Sequence, residues 1–138
     1  MDIDVRGPRL GAAVTTVVLA AVLVTGSVWL LAWQTLAFAL GAAGGVGRSP
    51  YGWAFRRIVR PRIGPPTEFE SPEPPRFAQA VGLVFAAVGL VGLTLGPGWL
   101  GLAATGAALA AAFLNAAFGY CLGCELYLLV RRVAVRAQ

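Results

Sequence analysis

Residues Leu10 to Gly47 read LGAAVTTVVLAAVLVTGSVWLLAWQTLAFALGAAGGVG, and this stretch holds no charged side chain. A second charge-free run extends from Phe77 to Cys124. A helix that crosses a bilayer needs about 20 apolar residues, so each run has room for two crossings. The composition agrees. Hydrophobic residues make up 58% of the 138 and charged residues 12%, against about 45–50% and 25% in soluble domains. The chain is therefore expected to be a polytopic membrane protein with one integral domain.

Inside the first run, Gly26-Ser27 is the natural turn, and Trp29 follows it as a residue suited to the headgroup level. This places helices over about 9–25 and 29–47, the second carrying Gly41 and Gly45 in the spacing that lets helices approach closely. In the second run Gly96-Pro97-Gly98 makes the turn between helices at about 77–95 and 99–124, with a helical extension to about 132. The expected fold is all-α: a four-helix transmembrane bundle built from two hairpins. Arg6 and Arg9 precede the first run, but that run is too long for the apolar core of a signal peptide.

The halves also resemble each other. Pro8-Arg9 matches Pro75-Arg76, Ala13-Val14 matches Ala80-Val81, and Trp29-Leu30 matches Trp99-Leu100. An internal duplication of one hairpin accounts for this and would set the cysteines at the place of Tyr51-Gly52.

Between the halves, 48–76 is the one substantial polar connection. Ser49-Pro50 suits a helix start. Trp53, Phe55, Ile58 and Val59 alternate with Arg56, Arg57 and Arg60, the pattern of a short helix lying in the membrane interface. Pro61, Pro65, Pro66, Pro72, Pro74 and Pro75 then favour an extended strap. All 11 basic residues are arginines, and they occupy the N-terminal lead, this connection or the C-terminal tail. Short arginine-rich segments stay in the cytoplasm, so both termini and the connection are expected on the inside of the cell membrane. Arg48, Trp53, Arg56, Arg57, Arg60, Arg131 and Arg132 are the expected contacts to lipid headgroups.

Chemistry is suggested at one place, Phe118-Gly-Tyr-Cys-Leu-Gly-Cys-Glu-Leu-Tyr127, which contains both cysteines, Cys121 and Cys124, three apart. The chain has no histidine, which excludes histidine-ligated haem and zinc and any histidine relay. No acidic or basic residue falls mid-membrane, which argues against an ion-coupled transporter. Three uses of the pair compete. It can be a redox or sulfur-carrying dithiol, a half-site for a soft metal completed by a homo-oligomer, or two small residues that pack a helix. On an uninterrupted helix the pair would lie near a C-terminus beside Glu125, which disfavours the thiolate; a break at Gly119 or Gly123 reverses this. In a reducing compartment a permanent structural disulfide is not expected. Gln34 and Asn115, polar residues within helices, are expected to form interhelical hydrogen bonds. No cofactor and no nucleic-acid partner is indicated.

Three segments together, Arg48-Ser-Pro-Tyr-Gly, Pro74-Pro-Arg-Phe-Ala-Gln-Ala-Val-Gly and Asn115-Ala-Ala-Phe-Gly-Tyr-Cys-Leu-Gly-Cys-Glu-Leu-Tyr, resemble the DUF4395 family of small bacterial integral membrane proteins. The likeness covers nearly the whole chain, and arginine without lysine looks like a GC-rich actinobacterial version. Members of that family are often encoded near thioredoxin-like proteins and rhodanese-type sulfurtransferases. The resemblance thus implies a cytosolic partner of one of these kinds and a thiol role for Cys121 and Cys124. The leading expectation is a membrane-embedded dithiol protein; the alternative is a non-enzymatic membrane subunit or small-solute channel whose cysteines only pack.

Overall fold

The computed structural model describes residues 2–137. Strand β1 (Ile3–Asp4) leads into helices α1 (Arg6–Thr25) and α2 (Val28–Gly44). A 3₁₀ turn (Val46–Arg48) precedes α3 (Pro50–Ala54), which passes through a π-helical turn (Phe55–Val59) into α4 (Arg60–Ile63). Strand β2 (Phe69–Glu70) pairs antiparallel with β1, and α5 (Glu73–Leu95), α6 (Gly98–Phe118) and α7 (Leu122–Arg136) complete the chain. Of the four bundle helices, α1, α5 and α6 are long and apolar enough to cross a membrane. At 17 residues α2 is shorter, roughly 25 Å at 1.5 Å per residue. This is a multi-pass membrane protein.

The hairpins interlock. Helix α2 packs on α5, α1 on α6, and α5 on α6. The contacts are made by small residues, because helices in lipid gain chiefly from close packing. Gly82 sits beneath the Phe38 ring, Gly89 against Thr105, and Gly92 directly on the Gly101 backbone. Leu19, Val22, Leu31 and Ala86 are fully buried between the helices. Outward faces are as apolar as the interior: Val17 is 68% exposed, Val84 60% and Leu102 49%. Such a surface suits acyl chains and not water. Trp29 and Trp99, each just after a hairpin turn, are both exposed.

The two matched Pro-Arg pairs have corresponding places in the structure. Arg9, from the start of α1, donates to the Ala116 carbonyl near the end of α6 (3.2 Å). Arg76, from the start of α5, donates to the carbonyls of Ala42 (2.8 Å) and Ala43 (2.5 Å) near the end of α2. Each matched Pro-Arg pair therefore caps the second helix of the other hairpin. The last carbonyls of a helix lack intrahelical partners, and a cation there also meets the negative end of the helix dipole.

Two expectations about segment limits change. Pro61 lies within α4, and Pro74 and Pro75 within the first turn of α5, where a missing N–H costs nothing. The extended strap is thus confined to about residues 64–72. The fourth helix does not run unbroken to Cys124. It stops at Phe118 because Gly119 adopts a left-handed conformation (φ 69°), its N–H closing on the Asn115 carbonyl.

Buried Gln34 forms the interhelical bonds expected of it. Its Nε2 donates to Thr15 Oγ1 (3.2 Å) and its Oε1 accepts from the Tyr51 hydroxyl (2.6 Å). That ties α1, α2 and α3 together.

Substituting Gly92→Val would drive a side chain into the Gly101 backbone and should destabilise the protein by about 1–3 kcal/mol. Gly106→Ala, at a position with open space around it, should leave the thermal midpoint in detergent unchanged or slightly higher. Differential scanning fluorimetry of both variants checks the packing.

Candidate functional site: the cysteine turn and the cavity beneath it

The chain break after α6 determines the setting of the cysteines. Gly119 reverses the backbone, Tyr120 continues the turn with its N–H on the Leu114 carbonyl, and Cys121 becomes the N-cap of α7. The Cys121 Sγ accepts the backbone N–H of Cys124 at 3.1 Å. The sulfur does what a serine or aspartate oxygen does at other helix starts. The pair is therefore at a helix N-terminus, and the expectation of a C-terminal setting is corrected: the helix dipole here favours negative charge on sulfur. Of the two possible breaks, Gly119 makes it, while Gly123 lies in the first turn of α7 and packs on Ala78.

Cys121 and Cys124 are joined in a disulfide, and both are half-buried. Among the described residues no group of three or more cysteine, aspartate or glutamate side chains could hold a metal ion.

The corresponding position in the first half is instructive. After α2, Gly45 takes a positive φ, and Ser49 is the N-cap of α3, its hydroxyl accepting the Tyr51 N–H (3.4 Å). Tyr51 packs on Gly11 as Gly123 packs on Ala78. Ser49 and Cys121 thus each cap the helix that follows a bundle helix, one with a hydroxyl and the other with a sulfur, two residues from the expected match of the cysteines with Tyr51-Gly52.

Beneath the disulfide a cavity of about 570 Å³ runs between α1, α5 and α6. Both cysteines line it, together with Arg9 and Thr15 from α1, Phe38 from α2, Gln79 and Phe85 from α5, and Ala112 and Asn115 from α6. Glu68 and Glu70 of the strap line it as well. From Asn115 to Ala107 its wall follows α6 for roughly 12 Å.

The strap is fixed by a local network. β1 pairs with β2, Asp4 carries a bidentate bond from Arg6 (2.9 and 3.1 Å), and Arg6 also donates to the Gly64 carbonyl (2.9 Å). The Arg6 side-chain bond holds the Asp4 carboxyl below its ordinary pKa. Partial burial pushes the Glu70 carboxyl up, toward the protonated form.

The arginine and tryptophan side chains expected at the interface do not join this site. Arg48, Arg56, Arg57 and Arg60 are exposed around α3 and α4, with Arg56 donating to the Gly47 carbonyl (2.8 Å) and Arg57 5.8 Å from the Trp53 ring. On α7, Arg131 lies 3.8 Å from Glu73, which also accepts from the Tyr127 hydroxyl (2.9 Å), and Arg132 is exposed. Sequence reading missed Arg9, Gln79, Glu68 and Glu70 as site residues. For Arg9 the signal was its place in the repeated Pro-Arg pair.

A disulfide-bonded cysteine pair at the polar end of a multi-pass helical bundle defines the class: a small integral membrane protein with a CxxC disulfide. The chain belongs to the family described as Domain of unknown function (DUF4395), which matches residues 3–132. No curated protein and no solved structure matches it.

After reduction, capping by the Cys124 N–H should make Cys121 the more reactive thiol. At neutral pH, Cys124→Ser should be alkylated by iodoacetamide about two- to fivefold faster than Cys121→Ser, the factor that a helix N-terminus supplies. Quenched alkylation followed by intact-mass spectrometry measures it.

Proposed function

We propose that the protein is a membrane-embedded dithiol carrier that exchanges electrons or sulfane sulfur with a cytosolic partner. The observation that carries this reading is Cys121 Sγ as the N-cap of α7, half-buried at the bundle end where the arginines cluster. In disulfide exchange a partner thiolate attacks one sulfur of the pair. A mixed disulfide forms, and a second partner thiolate then releases the reduced Cys121–Cys124 dithiol and the partner's disulfide. In sulfur transfer the Cys121 thiolate takes the outer sulfur of a partner persulfide and releases the partner thiolate. Both routes need the capped sulfur to carry negative charge.

A purely structural role for the pair is the weaker account. A disulfide closing so short a loop stabilises by roughly 2 kcal/mol, less than the 3 kcal/mol of a 15-residue loop, and one helical turn already holds the two residues close.

The arginines orient the protein with both termini and the 48–76 connection in the cytoplasm. Arg48, Arg56, Arg57, Arg60, Arg131 and Arg132 then meet lipid phosphates, with Trp53 at the same level. The cysteine turn faces the cytosol, where a thioredoxin-like protein or a rhodanese-type sulfurtransferase is the fitting partner. α2 makes the fourth crossing, its length completed by the turn at Val46–Arg48.

A membrane-impermeant maleimide should label the cysteines in inverted vesicles after reduction, much less without it, and not in intact cells. Labelling of intact cells would place the turn outside and defeat the orientation. Labelling that is full without reduction and unaffected by it would remove the disulfide cycle.

A further inference from the structure

We propose that the cavity under the Cys121–Cys124 turn binds the ring of a membrane-dissolved quinone, which takes the two electrons of the dithiol. This rests on the dithiol reading above and names the second substrate of the same site.

The cavity's position argues for an occupant that arrives from lipid. It begins at the two sulfurs and follows α6 inward as far as Ala107, among the side chains of membrane-spanning helices. A soluble thiol protein can reach the outer sulfurs but not this interior. At about 570 Å³ it lies within the 300–1,000 Å³ of small-molecule pockets. Ala108, Ala112, Phe38 and Phe85 supply small and aromatic side chains to its lining, beside the charged Arg9, Glu68 and Glu70.

Two polar groups stand out against that lining. Among the described residues, the side chains of Gln79 and Asn115 make no hydrogen bond in the protein, and both residues are among the cavity lining, with the Gln79 amide lying against Gly41 of α2. Gln34, by contrast, is bonded through both its amide nitrogen and its amide oxygen. An amide N–H in a largely apolar site is worth most when it meets a carbonyl oxygen, and a quinone presents two. An acyl chain would offer the Asn115 amide no acceptor and could accept no electrons.

The chemistry balances without another reactant. The reduced pair releases two protons, and one thiolate adds to a ring carbon, forming a C–S bond and pushing an electron pair onto a ring oxygen. The second thiolate attacks that sulfur. The S–S bond forms, the C–S bond breaks, and its electron pair leaves with the ring, which takes up two protons as the hydroquinone. Glu68 and Glu70 of the strap are among the cavity lining and supply carboxyl groups through which those protons can pass. Electrons then run from a cytosolic dithiol through Cys121–Cys124 into the quinone pool.

The test uses the full chain in proteoliposomes, reduced, freed of reductant and mixed with a ubiquinone or a menaquinone bearing one isoprene unit. Quinone absorbance and the free-thiol count are followed together, and exchange with oxidised thioredoxin is measured on the same preparation. The expected result is saturable reduction of at least one of the two quinones, one hydroquinone per disulfide formed, abolished in Cys121→Ser and Cys124→Ser. Ala112→Phe, which fills the cavity, and Asn115→Leu, which removes an amide donor, should each lower the rate by about tenfold or more. Thioredoxin exchange in these two variants reports that the fold has survived. If the wild-type protein exchanges with thioredoxin but reduces neither quinone, the quinone site is overturned and the dithiol reading stands. Failure in both assays overturns both. Undiminished quinone reduction in the two cavity variants would place the chemistry elsewhere and also overturn the site.

Discussion

Four carbonyls at the end of every helix lack a partner, and at the edge of a bilayer they cannot all depend on water. In this protein two arginines answer that need across the hairpins. Arg9 reaches the end of α6 and Arg76 the end of α2. Because each arginine begins one hairpin and closes the other, neither hairpin is complete alone. The same contacts gather positive charge at one end of the bundle, and they leave the opposite end to uncharged turns and Trp29 and Trp99.

The cysteine site follows from this arrangement. With its carbonyls held by Arg9 and by the Gly119 turn, α6 stops, and the chain must start a new helix at once. A new helix needs an N-cap. In the first half Ser49 serves; in the second Cys121 does, with a sulfur in the place of a hydroxyl. An ordinary structural need of a helix start thereby becomes a chemically distinct position. The capped sulfur lies between the arginine-rich surface and a cavity that penetrates the helices. On the proposed function, a dithiol so placed meets a protein partner on one side and a lipid-soluble molecule on the other.

Much of this was legible in the residues. Charge-free runs and the turns at Gly26-Ser27 and Gly96-Pro97-Gly98 define the hairpins because lipid permits little besides apolar helices. The Pro-Arg repeat marked the two capping arginines, although only the structure gave them their partners: a cap across hairpins is a long-range contact with no local signature. The break at Gly119 was one of two glycine choices. Periodicity could not decide between them, since Gly123 also sits in an apolar stretch; packing on Ala78 keeps it helical. The proline strap was overextended, because proline composition does not separate a helix's first turn from a loop. The cavity had no signal at all. It lies between α1, α5 and α6, lined in part by small residues such as Ala108 and Ala112, and that depends on how the helices meet.

The central claim is that Cys121 and Cys124 form an exchangeable pair and not a permanent staple. Its most direct test is the reduction potential of the disulfide, measured by equilibrating the purified protein with defined thiol–disulfide buffers and quenching by alkylation. The account predicts a value in the range of catalytic pairs, between about −270 and −120 mV. A value below about −300 mV, where structural disulfides lie, would contradict it.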